Sequence, residues 1–182
     1  MIFSPAPLAG AYIIDLQKKD DERGFFARLF CENEFTQHGL VCHIRQINNS
    51  LSSLKGTLRG MHYQLSPSAE AKVVRCVRGA LYDLILDLRN GSRTFGQSFG
   101  TELSAENRRM LYVPKGFAQG SLTLLDDTET FYFADEFYSP QRERCIRYND
   151  PKFALRWPAP PLVISEKDRT QPDFDPAWHL NA

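Results

Sequence analysis

A ten-residue stretch, "ALYDLILDLR" at residues 80–89, constrains the fold more than any other part of the chain. Its side chains alternate with the period of two that is typical of a β-strand. The two faces hold Tyr82, Leu84, Leu86 and Leu88 on one side, and Leu81, Asp83, Ile85, Asp87 and Arg89 on the other. Asn90-Gly91 follows directly and predicts a hairpin into "TFGQSFGTEL".

Short strand candidates of this kind recur along the chain, with glycine or asparagine at many corners. They are "GAYIIDL", "GFFARLF", "IRQINNS", "GTLRGMHYQ", "AKVVRCV", "RMLYVP", "GSLTLL" and "TETFYFADEF". The sequence predicts a single good internal helix, near "ENEFTQHG" and closed by Gly39. This pattern predicts an all-β fold, an antiparallel sandwich or barrel of the jelly-roll kind with few short helices.

The length of 182 residues and the 42% apolar fraction fit one domain over residues 1–182, with the barrel over roughly 8–150. The composition changes after "YNDP", because residues 151–182 hold six of the eleven prolines. We expect this C-terminal tail to wrap the barrel instead of extending its sheet. A wrapping tail can still deliver side chains to a site.

Charge and targeting signals exclude several classes of function. Lysine plus arginine (22) balances aspartate plus glutamate (22), so no global field attracts nucleic acid or an anionic membrane. No signal peptide and no apolar run near the ~20 residues of a membrane span is present, which predicts a cytoplasmic protein. Cys31, Cys42, Cys76 and Cys145 form no C-x-x-C pair and are expected to be reduced, mostly buried thiols.

His62 is the histidine in the most suggestive setting, since period-two alternation would point it into one cavity with Gly60 and Gln64. The segments "GMHYQ" and "PKGFAQG" resemble the two halves of the cupin signature. Metal-binding cupins converge several histidines and an acid on the ion, whereas these segments offer one imidazole and Gln119. The sequence therefore predicts a cupin-like barrel without a metal.

A longer ordered set of motifs, over roughly residues 20–170, resembles the dTDP-4-dehydrorhamnose 3,5-epimerase family. These motifs are "DERGFF", "RQINNSLS", "GTLRGMHYQ", "AKVVRCVRGALYDLILDLRNGSRTFGQ", "LSAENRRMLYVPKGFAQG", "YSPQRE" and "YNDPKFALRWP". The resemblance implies inversion of carbons 3 and 5 of a nucleotide-linked 4-keto-6-deoxyhexose, in rhamnose synthesis and with no cofactor. Both carbons lie next to the ketone, so the reaction needs a base, a stabiliser of the enolate and an acid on the opposite face.

The resemblance assigns these roles residue by residue. His62 matches the base, Asp168 its carboxylate partner, Lys72 the enolate stabiliser and Tyr132 the acid. A second set of residues matches family contacts to the diphosphate, nucleotide or sugar: Arg23, Arg59, Gln46, Asn48, Tyr138, Glu143 and Lys167. Two further positions, expected to contact substrate, depart from the family pattern: Arg28 replaces a glutamate, and Gln119 replaces a histidine.

Three functions remain open from the sequence. The first is a full 3,5-epimerase of dTDP-4-keto-6-deoxyglucose. The second is an epimerase of carbon 3 or 5 alone, or of another nucleotide sugar such as a cytidine diphosphate form. The third is a sugar-nucleotide-binding cupin without catalysis, which the joint presence of the four catalytic residues disfavours. The resemblance also implies a homodimer, in which "GAYIIDL" would add to the sheet of the partner.

Overall fold

A computed structural model describes residues 1–40 and 43–181 of the chain. Short strands dominate it. The strands are β1 (Ile2–Pro5), β2 (Tyr12–Asp15), β3 (Lys19–Asp21), β4 (Gly24–Phe26), β5 (Gln46–Ser52), β6 (Thr57–Gln64), β7 (Lys72–Arg78), β8 (Ala80–Asp87), β9 (Ser98–Ser104), β10 (Met110–Val113), β11 (Phe117–Thr123), β12 (Thr128–Ala134), β13 (Glu143–Cys145) and β14 (Val163–Ile164). The helices are α1 (Glu32–Gln37), α2 (Glu166–Arg169) and α3 (Pro176–His179).

Two six-stranded sheets form the body of the fold. Sheet I has the strand order β1-β2-β10-β7-β12-β5. Sheet II has the order β13-β6-β11-β8-β9, and β14 pairs with β6 in parallel, while the other pairings are antiparallel. This is the cupin-like jelly roll that the sequence predicted.

Three clusters of buried apolar side chains explain why so many strands are hydrophobic on both faces. One cluster includes Val74, Leu81 and Ile85, which pack together between the sheets. A second joins sheet II to the C-terminal tail, and a third joins sheet I to Phe35 of α1. Each sheet thus has one face against the other sheet, and a helix or the tail covers part of its opposite face.

The alternation predicted for residues 80–89 is confirmed in β8. Leu81 and Ile85 belong to the inner cluster, whereas Leu84 and Leu86 pack under the tail. The predicted hairpin is also confirmed, because β8 pairs with β9. Its connection is longer than a two-residue turn, since residues 88–97 lie between the strands.

Other expectations need correction. The segment "GAYIIDL" contains β2, which is hydrogen-bonded to β1 on one side and β10 on the other. Both of its edges are occupied within the chain, so it cannot add to a partner's sheet. The tail does not only wrap: Val163 and Ile164 pair with Thr57 and Leu58 and so extend sheet II.

The remaining global expectations concern helices and thiols. The predicted helix is confirmed as α1, while the sequence reading missed the single-turn helices α2 and α3. Among the described residues, Cys31, Cys76 and Cys145 are free, and Cys42 lies outside them. Within the described part of the chain, no helix is long and apolar enough to span a membrane.

Candidate active site

A cavity of about 560 Å³ opens between the two sheets. Strands of both sheets line it, together with the segment that runs from β14 into α2. Seven of the residues predicted for the site contribute to its wall: Arg59, His62, Lys72, Gln119, Tyr132, Lys167 and Asp168. The structure therefore brings the four expected catalytic side chains together.

A register shift in β6 brings Arg59 and His62 to the same cavity. On β11, Gln119 is opposite His62 and Ser121 is opposite Arg59, so three steps along β6 match two along β11. The bulge falls at Gly60, whose φ is +107°. A Cβ there would lie 2.7 Å from the Gln119 carbonyl oxygen, so the close approach of the strands requires glycine.

His62 and Asp168 form a hydrogen-bonded pair, with 2.7 Å between Nε2 and Oδ1. The tail delivers Asp168: Ser165 caps α2 by accepting a hydrogen bond from the Asp168 N–H, and the Gly60 N–H donates to Oδ2. Burial alone would raise the pKa of Asp168, but the His62 contact and the Gly60 N–H lower it. The carboxylate therefore stays charged, and it leaves Nδ1 of His62 available to take a proton.

Lys72 and Tyr132 lie close to each other on sheet I. They line the wall of the cavity opposite His62. The Lys72 Nζ lies 5.8 Å from the centre of the Tyr132 ring and 3.0 Å from Glu70 Oε1. Burial, with the charges of Glu70 and Glu143, raises the pKa of the Tyr132 hydroxyl, so this group stays protonated and able to donate. The arrangement offers a cation and a proton donor facing a base on the other sheet.

Gln119 is held by a carboxyl group that the sequence reading did not assign to the site. Its Nε2 donates to both oxygens of Asp83, at 3.0 Å each, and Asp83 is fully buried. Burial raises the pKa of Asp83 to about 7, against the Gln119 hydrogen bond and the Lys72 charge. Because Nε2 is engaged, the amide oxygen is the atom that Gln119 offers to a ligand.

Two other predicted residues, Tyr138 and Glu143, form a linked cluster with Lys167 at the rim. The Tyr138 hydroxyl donates to Glu143 Oε2 at 3.0 Å, and Lys167 Nζ lies 2.6 Å from the same oxygen. Partial burial alone would raise the pKa of Glu143, but the hydrogen bonds from Lys167 and Tyr138 lower it. Gln46 supports this rim by accepting the Tyr138 N–H at 2.7 Å.

Some predicted residues do not line the cavity of their own chain. Arg23 is exposed and pairs with Asp21, and Arg28 pairs with Glu34 at 2.9 Å near the chain's N-terminus. Asn48 lies opposite Tyr132 in the sheet without reaching the cavity wall. The roles of these three residues stay predictions.

Gln64 does not share the cavity with His62, as alternation had suggested. Its amide donates to the carbonyl oxygens of Ser68 and Phe137, and its oxygen accepts the Ser139 N–H. These bonds fix the strand connections around β6. Gln64 and His62 both lie beyond the bulge and share a face of β6, so alternation holds between them, but the backbone groups of the connections take up the Gln64 amide.

Comparisons with known proteins agree with this geometry. The family model described as dTDP-4-dehydrorhamnose 3,5-epimerase matches residues 5–176. A protein of that name from Sinorhizobium fredii is 42% identical over 175 residues, which cover 96% of this chain and 90% of the relative. The chain belongs to the dTDP-4-dehydrorhamnose 3,5-epimerase family.

Solved structures give the same result. The crystal structure of a dTDP-4-dehydrorhamnose 3,5-epimerase from Elizabethkingia anophelis matches with a TM-score of 0.92 at 40% identity, covering 96% of both chains. ChmJ, a 3′-monoepimerase from Streptomyces bikiniensis in complex with dTDP-quinovose, matches with a TM-score of 0.84 at 33% identity, covering 93% of this chain and 86% of ChmJ. The resemblance read from the sequence is therefore confirmed, with its fold and its class of activity, an epimerase.

The sequence reading missed three residues beside the active site of this chain: Glu70, Asp83 and Cys145. Asp83 carried a usable signal, since an acid stands on the same strand face as Leu81 and Ile85. Cys145 carried none, because its neighbour Asp168 is 23 residues away along the chain and 3.9 Å away in the fold.

Proposed function

We propose that the protein inverts carbons 3 and 5 of a nucleotide diphospho-4-keto-6-deoxyhexose, the reaction of a dTDP-4-dehydrorhamnose 3,5-epimerase. One observation carries the proposal: a carboxylate-paired histidine and a protonated tyrosine line the same cavity from opposite sheets. Inversion requires a base and an acid on opposite faces of the carbon. The family membership of the chain supports the same reaction.

For each step of the proposed reaction, the cavity offers a side chain that can carry it out. The Nδ1 atom of His62 removes the proton next to the ketone, and Asp168 stabilises the resulting imidazolium. Lys72 places its ammonium where charge develops on the ketone oxygen, which favours the enolate over the neutral ketone. Tyr132 then donates its proton to the other face of the carbon. The base, the cation and the acid are all side chains, so the step requires no cofactor.

The nucleotide end of the substrate needs cations for its diphosphate. Arg59 and Lys167 lie in the cavity wall, and guanidinium binds phosphate through paired hydrogen bonds. Arg59 is oriented by Ser52, whose hydroxyl accepts its Nε–H at 3.1 Å. Tyr138, exposed at the rim beside Glu143, offers a ring for the base of the nucleotide.

Solvent exchange tests this function directly. The protein is incubated in deuterated water with dTDP-4-keto-6-deoxyglucose, and proton NMR follows carbons 3 and 5. We expect deuterium at both carbons, and a loss of about two orders of magnitude or more in exchange rate for His62→Ala. No exchange with any nucleotide sugar tested would contradict the proposal and favour a binding protein.

A single inversion is the second candidate, and two observations favour it. Gln119 replaces the family histidine and cannot carry a proton, and ChmJ, a 3′-monoepimerase, shares the fold. Deuterium at one carbon alone would establish this alternative. Competition between dTDP and CDP forms of the sugar tests the nucleotide preference in the same assay.

The homodimer also belongs to this proposal. The outward face of β5, at the edge of sheet I, leaves Ile47 and Leu51 exposed at 64% and 51%. A second copy of the chain is the expected cover for these side chains. Light scattering of the wild type and of Leu51→Glu checks this: a monomeric wild type would contradict it. A single domain over residues 1–182, a cytoplasmic location, and the absence of nucleic-acid and membrane partners stay predictions.

A further inference from the structure

A thiol lies behind the histidine–carboxylate pair, on the edge strand of sheet II. Cys145 is opposite His62 in the pairing of β13 with β6, and its side chain is buried. The Cys145 Sγ lies 3.9 Å from Asp168 Oδ1, and Oδ1 lies 2.7 Å from His62 Nε2. All three ligand atoms fall within 4.8 Å of one another.

Two of these distances lie near those of a tetrahedral zinc site, and the third, between Nε2 and Sγ, is at most 4.8 Å. Zinc bonds of about 2.0–2.3 Å to nitrogen, oxygen and sulfur put neighbouring ligand atoms about 3.4–3.6 Å apart. The sulfur–oxygen distance needs only a small contraction from 3.9 Å. The nitrogen–oxygen distance must open by about 0.7 Å from the 2.7 Å hydrogen bond, as an ion replaces the proton between these atoms.

The charges balance as well. A thiolate and a carboxylate carry two negative charges, so a divalent cation with the neutral imidazole leaves the half-buried site without net charge. Binding releases the Sγ proton to solvent, and the proton on Nε2 is exchanged for one on Nδ1. Burial raises the pKa of the Cys145 thiol to about 12, so the free thiol is protonated until an ion coordinates it.

We propose that His62, Cys145 and Asp168 form an inhibitory site for a thiophilic divalent cation of the zinc class. The ion binds Nε2 of His62, the nitrogen that now contacts Asp168. The ring proton is then on Nδ1. His62 can then no longer accept a proton from the substrate. The reaction needs no metal and is blocked by one. Cation binding is independent of the proposed function, whereas the loss of turnover rests on it.

Cadmium and zinc salts test the site in the full-length protein, reduced and freed of metal with a chelator. Cadmium reports through the ultraviolet cadmium–thiolate absorption band, and zinc through loss of epimerase turnover. We expect one equivalent of cadmium per chain to produce the band. At saturation, zinc should leave less than about a tenth of the turnover, since a general base contributes 10²-fold or more.

Two variants remove the sulfur, Cys145→Ala and Cys145→Ser, so that a folding defect in one does not decide the result. Both should lose the band, and the zinc concentration for half-inhibition of each variant's own turnover should rise at least about tenfold. Cys31→Ala is the matched control, because Cys31 is a free and more exposed thiol, and it should behave as the wild type.

The outcomes separate the two proposals. A band that is absent in the wild type, persists in both Cys145 variants or disappears in Cys31→Ala would overturn the site. A band that depends on Cys145 without loss of turnover would overturn the inhibition. If the protein turns over no nucleotide sugar, the band still reports whether the cation binds, so a failure of the epimerase assignment leaves the binding result intact.

Discussion

Replacing Asp83 by asparagine should change how the stability of the protein depends on pH. Asp83 is fully buried, and burial raises its folded-state pKa to about 7 from 3.8. Between these values the folded state binds more protons than the unfolded state, so the free energy of unfolding falls as the pH rises. A shift of about 3 units corresponds to about 4 kcal/mol in total, of which about 2–3 kcal/mol falls between about pH 5 and pH 8. Asparagine cannot ionise and escapes this loss.

Urea unfolding of the wild type and Asp83→Asn at several pH values measures the effect. The difference in unfolding free energy, variant minus wild type, should grow by about 2–3 kcal/mol from about pH 5 to pH 8. Asp87→Asn is the matched control on the same buried strand. Burial opposes ionisation of Asp87, yet bonds from Arg89, Ser92 and Thr94 lower its pKa to about 2, so its difference should stay flat over this range. A flat or falling difference for Asp83→Asn would refute the reasoning.

Three substitutions in the cavity wall should separate the proposed roles. Tyr132→Phe should lower kcat by about 100-fold or more while solvent exchange by His62 continues, because only the acid is lost; equal loss of inversion and exchange by NMR would argue against this role. Lys72→Met should lower kcat/KM by about 10²–10³-fold, and near-normal steady-state rates would remove Lys72 from enolate stabilisation. Arg59→Ala should raise KM by at least about tenfold with kcat largely kept, since a charge-assisted bond to phosphate contributes about 1.5–3 kcal/mol; an unchanged KM would place the diphosphate elsewhere.

Alternation along the chain was enough to predict the strands and the all-β class, but not what covers them. In β8 the side chains fall on the predicted faces, and both faces are buried. The cover for the outer face of sheet II comes from Phe153 and neighbouring tail residues, far along the chain. The change of composition after "YNDP" predicted that the tail wraps the barrel, but local periodicity carries no information about which face of which sheet the tail covers.

The site could be predicted only in part, for a similar reason. The family resemblance identified His62 and Asp168, whose atoms meet although the residues are 106 positions apart. Alternation expected Gln64 in the cavity with His62, but its amide bonds to backbone groups of Ser68, Phe137 and Ser139, which no local pattern reveals. Cys145 reaches the pair through the pairing of β13 with β6, which depends on register and not on any local motif.

The two buried carboxyl groups near the cavity have opposite pKa shifts, and this limits how inversion can proceed. Asp168 is held ionised by His62 and the Gly60 N–H, whereas the burial of Asp83 outweighs its bond from the Gln119 amide. A histidine at position 119 would face Asp83 and make a second carboxylate–imidazole pair, but an amide cannot transfer a proton. Within residues 1–40 and 43–181, His62 is then the one imidazole lining the cavity. If both carbons are inverted, a single base and Tyr132 must serve them in succession, with the sugar ring reoriented between the two steps.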